Sequence, residues 1–189
     1  MNSVVKICNT ALSHFGGGEI NALDEASEAA RGCNLFYESS RNEVLRDFPW
    51  PFARKVQVLA LTADSIPGWN YMYQLPAKCL QARRIFIAEN SLATDNFFDI
   101  YEDKLVCNLA NAYLEYTVEV VDPGLFDVKF SQALSYKIAS ELVIMLLGNT
   151  TRKQEFYTQY QQVLGEAKTA AMRERNQERQ YVSSYIDGR

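Results

Sequence analysis

The sequence predicts an α+β fold: a mainly α-helical bundle of about four helices with a β-rich insertion between its two helical halves. Three observations predict it. Apolar residues recur at helical spacing through the first 50 residues, alternate at strand spacing from Ala53 to Val120, and return to helical spacing from Asp122 to Gln180. Runs of strands set between runs of helices belong to the α+β class. The expected organisation is an N-terminal helical pair over 1–50, a β-rich insertion over 51–121, a long helical hairpin over 122–180 and a C-terminal tail over 181–189, in one structural domain.

Ser3 is placed to cap a first helix whose apolar face is Val4, Ile7, Cys8, Ala11 and Leu12, and Gly16-Gly17-Gly18 stops it. No GxGxxG and no GK[ST] accompanies the glycines, so they read as a helix stop and not as a phosphate loop. Asp24 and Ser27 open a second helix with a seam of Ala26, Ala30, Cys33, Tyr37, Ser40 and Val44. Glu28, Arg31, Glu38, Arg41 and Glu43 fall largely off that seam and read as a solvated or partner-facing surface. The helix ends at Phe48-Pro49-Trp50-Pro51-Phe52, where each proline forces extended backbone on the residue before it. Phe48, Trp50 and Phe52 are the expected anchor of this helix–strand junction.

From Ala53 the period changes. Val56, Val58 and Ala60 alternate with Lys55 and Gln57; Tyr71 to Leu75 and Ala82 to Ala88 are further strands. Phe97 to Tyr101 and Leu105 to Cys107 flank Glu102-Asp103-Lys104 as a hairpin. Tyr113 to Val120 is the last strand, with Tyr113, Glu115, Thr117 and Glu119 on one side and Leu114, Tyr116, Val118 and Val120 on the other.

Asp127 is placed to cap the next helix, along which Phe130, Leu134, Ile138, Leu142, Met145 and Leu146 form a core stripe. Gly148 suits a left-handed helix end, and Thr151 with Gln154 has capping-box spacing for the helix that follows. Phe156, Tyr160, Val163, Leu164, Ala167 and Ala171 carry its apolar face. The short connection calls for an antiparallel helical hairpin. Beyond Ala171 a mixed-charge stretch leads to a tail with Tyr181 and Tyr185 but no core pattern.

The 189 residues are enough for a substantial core. A net charge of −4 argues against affinity built on neutralising many phosphates. Cys8, Cys33, Cys79 and Cys107 are widely spaced, with no CxxC and one histidine, His14, so buried reduced thiols are expected and no metal or cofactor. The longest apolar run, Leu142 to Leu147, is far short of the roughly 20 residues of a bilayer span, and no membrane partner is expected. No nucleophile–base set, GxSxG or HExxH is legible, so the chain is not expected to be an enzyme. His14 reads as a cation at the C-terminal end of the first helix. Arg83 and Arg84, with Lys78, Arg54 and Lys55, read as strand-exterior charges rather than as a basic site.

The ordered set of segments CNTALSHFGGGEINALDEASEAARGCNLFY, VLRDFPWPFARK, YMYQLPAKCLQARRIF, YLEYTVEVVDPGLFDVKFSQALSYKIASEL and QYQQVLGEAKTAAMRE resembles the tail tubular protein A family of short-tailed phages and prophages. The resemblance runs through most of the chain and rests on the order of the pieces. It implies a virion structural protein at the head–tail junction, made in a bacterial host cytoplasm. In that family a ring, usually a dodecamer, docks beneath the portal protein, carries the tail nozzle or another tail component, and extends the channel through which DNA leaves without specific binding. By analogy with such adaptors, Arg173, Arg175, Arg179, Tyr181, Tyr185 and Arg189 are the candidate portal-docking residues. The alternative is a small cytosolic binding or regulatory module whose β insertion grips a peptide or ligand with aromatics such as Trp50, Trp69 and Tyr71.

Overall fold

A computed structural model describes residues 2–88 and 96–176, with side chains to 170. Its architecture is α+β, with two helical halves around a β-rich region. Helix α1 spans Val4–Ser13 and starts where the Ser3 hydroxyl accepts the Lys6 N–H at 3.1 Å. The chain then turns through Gly16, at φ 76°, where the left-handed backbone favours glycine. Helix α2 spans Glu28–Asp47, capped by Ser27 alone; Asp24 lies in the turn before it. Ahead of Pro49, Phe48 is extended at φ −146°, ψ 143°, which ends the helix.

Among the described residues seven strands follow, in two antiparallel sheets. Strands β1 (Arg54–Val58), β7 (Tyr113–Val118) and β4 (Cys79–Phe86) lie in the order β1-β7-β4. Strands β2 (Ala60–Leu61), β3 (Tyr71–Gln74), β6 (Lys104–Cys107) and β5 (Phe98–Tyr101) lie in the order β2-β3-β6-β5. Tyr101 pairs with Lys104 across the two-residue turn of the β5–β6 hairpin. The last strand stops at Val118, two residues short of the expected Val120. Its two expected sides are both buried, because β7 is the centre of its sheet: Glu115 and Thr117 are covered as well as Leu114 and Tyr116. Strand β1 is the opposite case. Its residues alternate in type, yet all five are exposed.

Helix α3 spans Val128–Leu147 and is the hub of the bundle, packing against α1, α2 and α4 (Thr150–Asn176). The Asp127 carboxylate accepts the Phe130 N–H at 2.7 Å, and Gly148 closes the helix at φ 62°. Phe130, Leu134, Ile138 and Leu142 are fully buried, but Met145 is 43% exposed, because the bundle ends before the last turn does. The expected Thr151 capping box is also corrected: Asn149 Oδ1 accepts the Arg152 N–H at 3.0 Å, so α4 starts two residues earlier, at Thr150. Helix α3 has the length and apolarity of a membrane span; here its apolar residues are spent on three neighbouring helices.

The junction aromatics fill the space between α2, the sheet and α3. Trp50, 1% exposed, donates its indole N–H to Val44 O at 2.8 Å. It meets Phe48 and Phe130 edge-on at 5.0 and 5.2 Å, and Phe52 meets Phe130 at 5.1 Å. Edge-to-face packing suits the ring quadrupoles and adds to what area burial supplies. Among the described residues one buried cluster runs from the helices into both sheets.

Two substitutions on one helix separate hub from end. Phe130→Ala is expected to cost about 3–5 kcal/mol through loss of contact and a residual cavity. Met145→Gln is expected to cost under about 1 kcal/mol. Urea denaturation checks both, and equal costs would contradict this division of α3.

Candidate functional site

Glu28, Arg31, Glu38 and Glu43 lie on an exposed surface as expected, but Arg41 does not. Arg41, expected on a solvated surface, is 4% exposed: it donates to Glu119 at 2.6 Å and to Asn42 Oδ1 at 3.1 Å, tying α2 to the segment after β7. Arg83 donates to Thr117 Oγ1 at 2.9 Å and to the carbonyls of Arg46 and Leu45 at 2.6 and 3.3 Å. Those carbonyls end α2, where helical partners run out and a cation is favoured. Glu115 accepts from Arg54 at 3.1 Å and Arg84 at 3.0 Å, and Arg84 lies 4.8 Å from the Phe86 ring centre. Arg54 and Arg84 thus converge on one carboxylate, Arg83 turns to α2, and Lys55 and Lys78 remain exposed. The five cations form no single basic face.

Polar contacts also fix the register of the hairpin. Lys137, buried on α3, is held by Glu43 at 2.8 Å and Glu141 at 3.4 Å. Burial pulls the Lys137 ammonium down, but the hydrogen bond and charge of Glu43 outweigh it and leave the group above its ordinary range. Burial also pushes the Glu141 carboxyl up, and its lysine partners more than reverse that. Tyr160 donates its hydroxyl to Asp47, joining α4 to the end of α2.

Lys153 pairs with Glu141 at 2.8 Å and Lys129 with Glu166 at 2.6 Å, which sets Glu166 level with the first turn of α3. From there α4 continues to Asn176, roughly 15 Å at 1.5 Å per residue, past the start of the helix it packs on. Ala167 is its last buried residue among those with described side chains. Of the candidate docking residues, Arg173 and Arg175 lie on this overhanging end; Arg179, Tyr181, Tyr185 and Arg189 lie outside the described residues.

His14 does not act as a charge at a helix end. Its ring stacks on Tyr136 at 4.2 Å, 9° from parallel, and its Nε2 lies 3.1 Å from Ser135 Oγ. Ser135 already donates its proton to Gln132 O at 2.8 Å, so its oxygen accepts and the imidazole is the Nε2–H tautomer. Burial lowers its pKa, which keeps the ring neutral. Cys8 and Cys33 sit together in the core, where the hydrogen bond between them and burial push the Cys8 thiol far up. Among the described residues no group of three or more His, Cys, Asp or Glu converges to hold a metal. A depression of about 440 Å³ lies open along the outer face of α1, lined by small polar residues such as Ser3, Asn9 and Thr10. Trp50 is enclosed in the core and does not share a pocket wall with Trp69 or Tyr71.

Comparison with protein-family models gives no match, and comparison with curated proteins gives none. The edges of the β region had a signal in the sequence: Val56 and Val58 in β1 alternate with Lys55 and Gln57, and Phe98 and Ile100 in β5 flank Asp99.

His14, the chain's one histidine, supplies a clean titration. Its folded pKa is below the ordinary value of about 6.5, so the unfolded chain binds more protons as pH falls through that value. Stability is then full above about pH 6.5 and declines as pH drops below it. Glu141 and Glu166, held below the ordinary carboxylate range, add their losses only at more acidic pH. Denaturation midpoints of wild type and His14→Gln between pH 7.5 and 5, roughly one unit either side of the ordinary histidine pKa, are expected to diverge in slope, with the variant flatter. Parallel slopes would show that His14 titrates alike in both states.

Proposed function

We propose that this chain is a virion structural protein: a head-to-tail adaptor that docks as a ring beneath the portal of a short-tailed phage or prophage. It would extend the DNA exit channel and carry the nozzle or the next tail component. The observation that carries the reading is the ordered set of segments from Cys8 to Glu174 that resembles the tail tubular protein A family. A helical bundle with a β-rich region is the architecture that resemblance implies, and α4 continues beyond Ala167, its last buried residue among those with described side chains.

The mechanism in this reading is ordered assembly. The overhanging end of α4, with Arg173 and Arg175 and the tail that follows, docks against the portal; the β region faces the next tail component. Copies held side by side on a portal ring act at high effective concentration, so contacts that are weak singly give firm attachment together. An acidic net charge suits a channel wall that must let DNA pass without holding it.

Electron microscopy of the purified chain mixed with the portal encoded beside its gene tests the proposal. Rings of adaptor on the portal are expected, and bare intact portals would overturn it. Truncation after Ala171 is expected to abolish docking while leaving the thermal unfolding transition within a few degrees of wild type, because Ala167 is the last buried residue of α4 among those described. A truncated chain that still docks would relocate the portal contact.

A further inference from the structure

Two strand edges of this chain are open, and they are complementary. Among the described residues, strand β1 has β7 on one side and no strand on the other, and β5 has β6 on one side and no strand on the other. Leu59 N–H bonds Ala112 O at 2.9 Å, and antiparallel alternation then gives Lys55 and Gln57 to the β7 ladder. The N–H and C=O of Val56 and Val58 therefore point outward. On β5 the two-residue turn gives Tyr101 and Asp99 to the β6 ladder, so Phe98 and Ile100 point outward. The Ile100 N–H accordingly has no strand partner and is held by the Asp99 side chain at 2.8 Å.

Both edges carry exposed apolar side chains: Val56 at 55% and Val58 at 52% on β1, and Ile100 and Tyr101 on β5. An open, apolar edge is a template for another strand, and chains that remain apart usually blunt such edges with charge, proline or a bulge. Neither strand contains a proline, and the register of each with its partner is unbroken. Their charges are of opposite sign. β1 brings Lys55 beside Arg54, which is paired to Glu115, while β5 and its turn bring Asp99 and Glu102.

We infer that β1 of one copy pairs antiparallel with β5 of the next, joining a sheet across the boundary between copies. Setting Val56 opposite Ile100 matches the outward groups of both strands. It also places Val58 opposite Phe98, with Lys55 diagonal to Asp99; cross-strand neighbours of these kinds each stabilise a pair. Because two different edges meet, the contact is heterologous, and a rotation that closes turns it into a ring. Ring closure on a portal rests on the adaptor reading; the strand contact itself uses only this chain.

The test is disulfide trapping between separately tagged copies of Val56→Cys and Ile100→Cys in the full chain, mixed at high concentration under mild oxidation without portal. Paired residues at these positions sit about 5.5 Å apart at Cα, within disulfide range. Mixed dimers well above the share that random collision gives, falling as salt rises, are expected. Adding Val58→Lys to the Val56→Cys copy, which puts a charge on an exposed edge and leaves the core untouched, is expected to remove them. Mixed dimers no more frequent than same-variant dimers, or insensitive to Val58→Lys, overturn the inference. Such a failure beside intact rings on the portal would leave the adaptor reading standing, and trapped pairs without any portal ring would do the reverse.

Discussion

The fold depends on one constraint: helix α3 has apolar residues on more of its circumference than a single partner can cover. Three helices meet that need, and each takes a different part of its surface. Phe130 near its start also receives the junction aromatics, so the same helix that seats the bundle seats the entry to the sheet. Burying aromatic and branched side chains of this size supplies most of what offsets the entropy of ordering the chain. In its last turn Ile144, Met145 and Leu147 reach solvent while Leu146 still packs on the core.

The β region is coupled to this bundle by polar contacts as well as by packing. Arg83 and Arg41 leave the sheet and α2 respectively to satisfy groups on the other element, and Lys137 and Tyr160 do the same within the helical layer. Buried charges are tolerated only when their partners are in place, which makes these contacts specific about geometry even where their net stabilisation is small. The far strands, by contrast, make few such ties. β1 and β5 present open edges, and α4 runs past its support, so the surfaces available for assembly are those the core does not use.

Periodicity made the helices and most strands legible in the sequence, and local chemistry marked Ser27, Asp127 and Gly148 as ends. It missed what depends on neighbours brought from a distance. Arg41 looked solvent-facing because its spacing leaves the apolar seam; Glu119, 78 positions on, is what buries it. His14 looked like a helix-end cation because Tyr136 and Ser135 lie beyond any local window. Asn149 outcompeted Thr151 as a cap because the helix begins immediately after the left-handed Gly148. The candidate docking residues rest on resemblance alone. Of them the structure positions the backbone of Arg173 and Arg175, at the end that extends beyond α3.

In the proposed adaptor α4 does two jobs, core up to Ala167 and portal contact beyond it. Amide hydrogen exchange along α4, with and without the cognate portal, tests it most directly. The account predicts slow exchange through Tyr160 to Ala167 in both states, and fast exchange from Lys168 to Asn176 that slows when the portal is added. Exchange from Lys168 to Asn176 that is unchanged by an intact portal would contradict it.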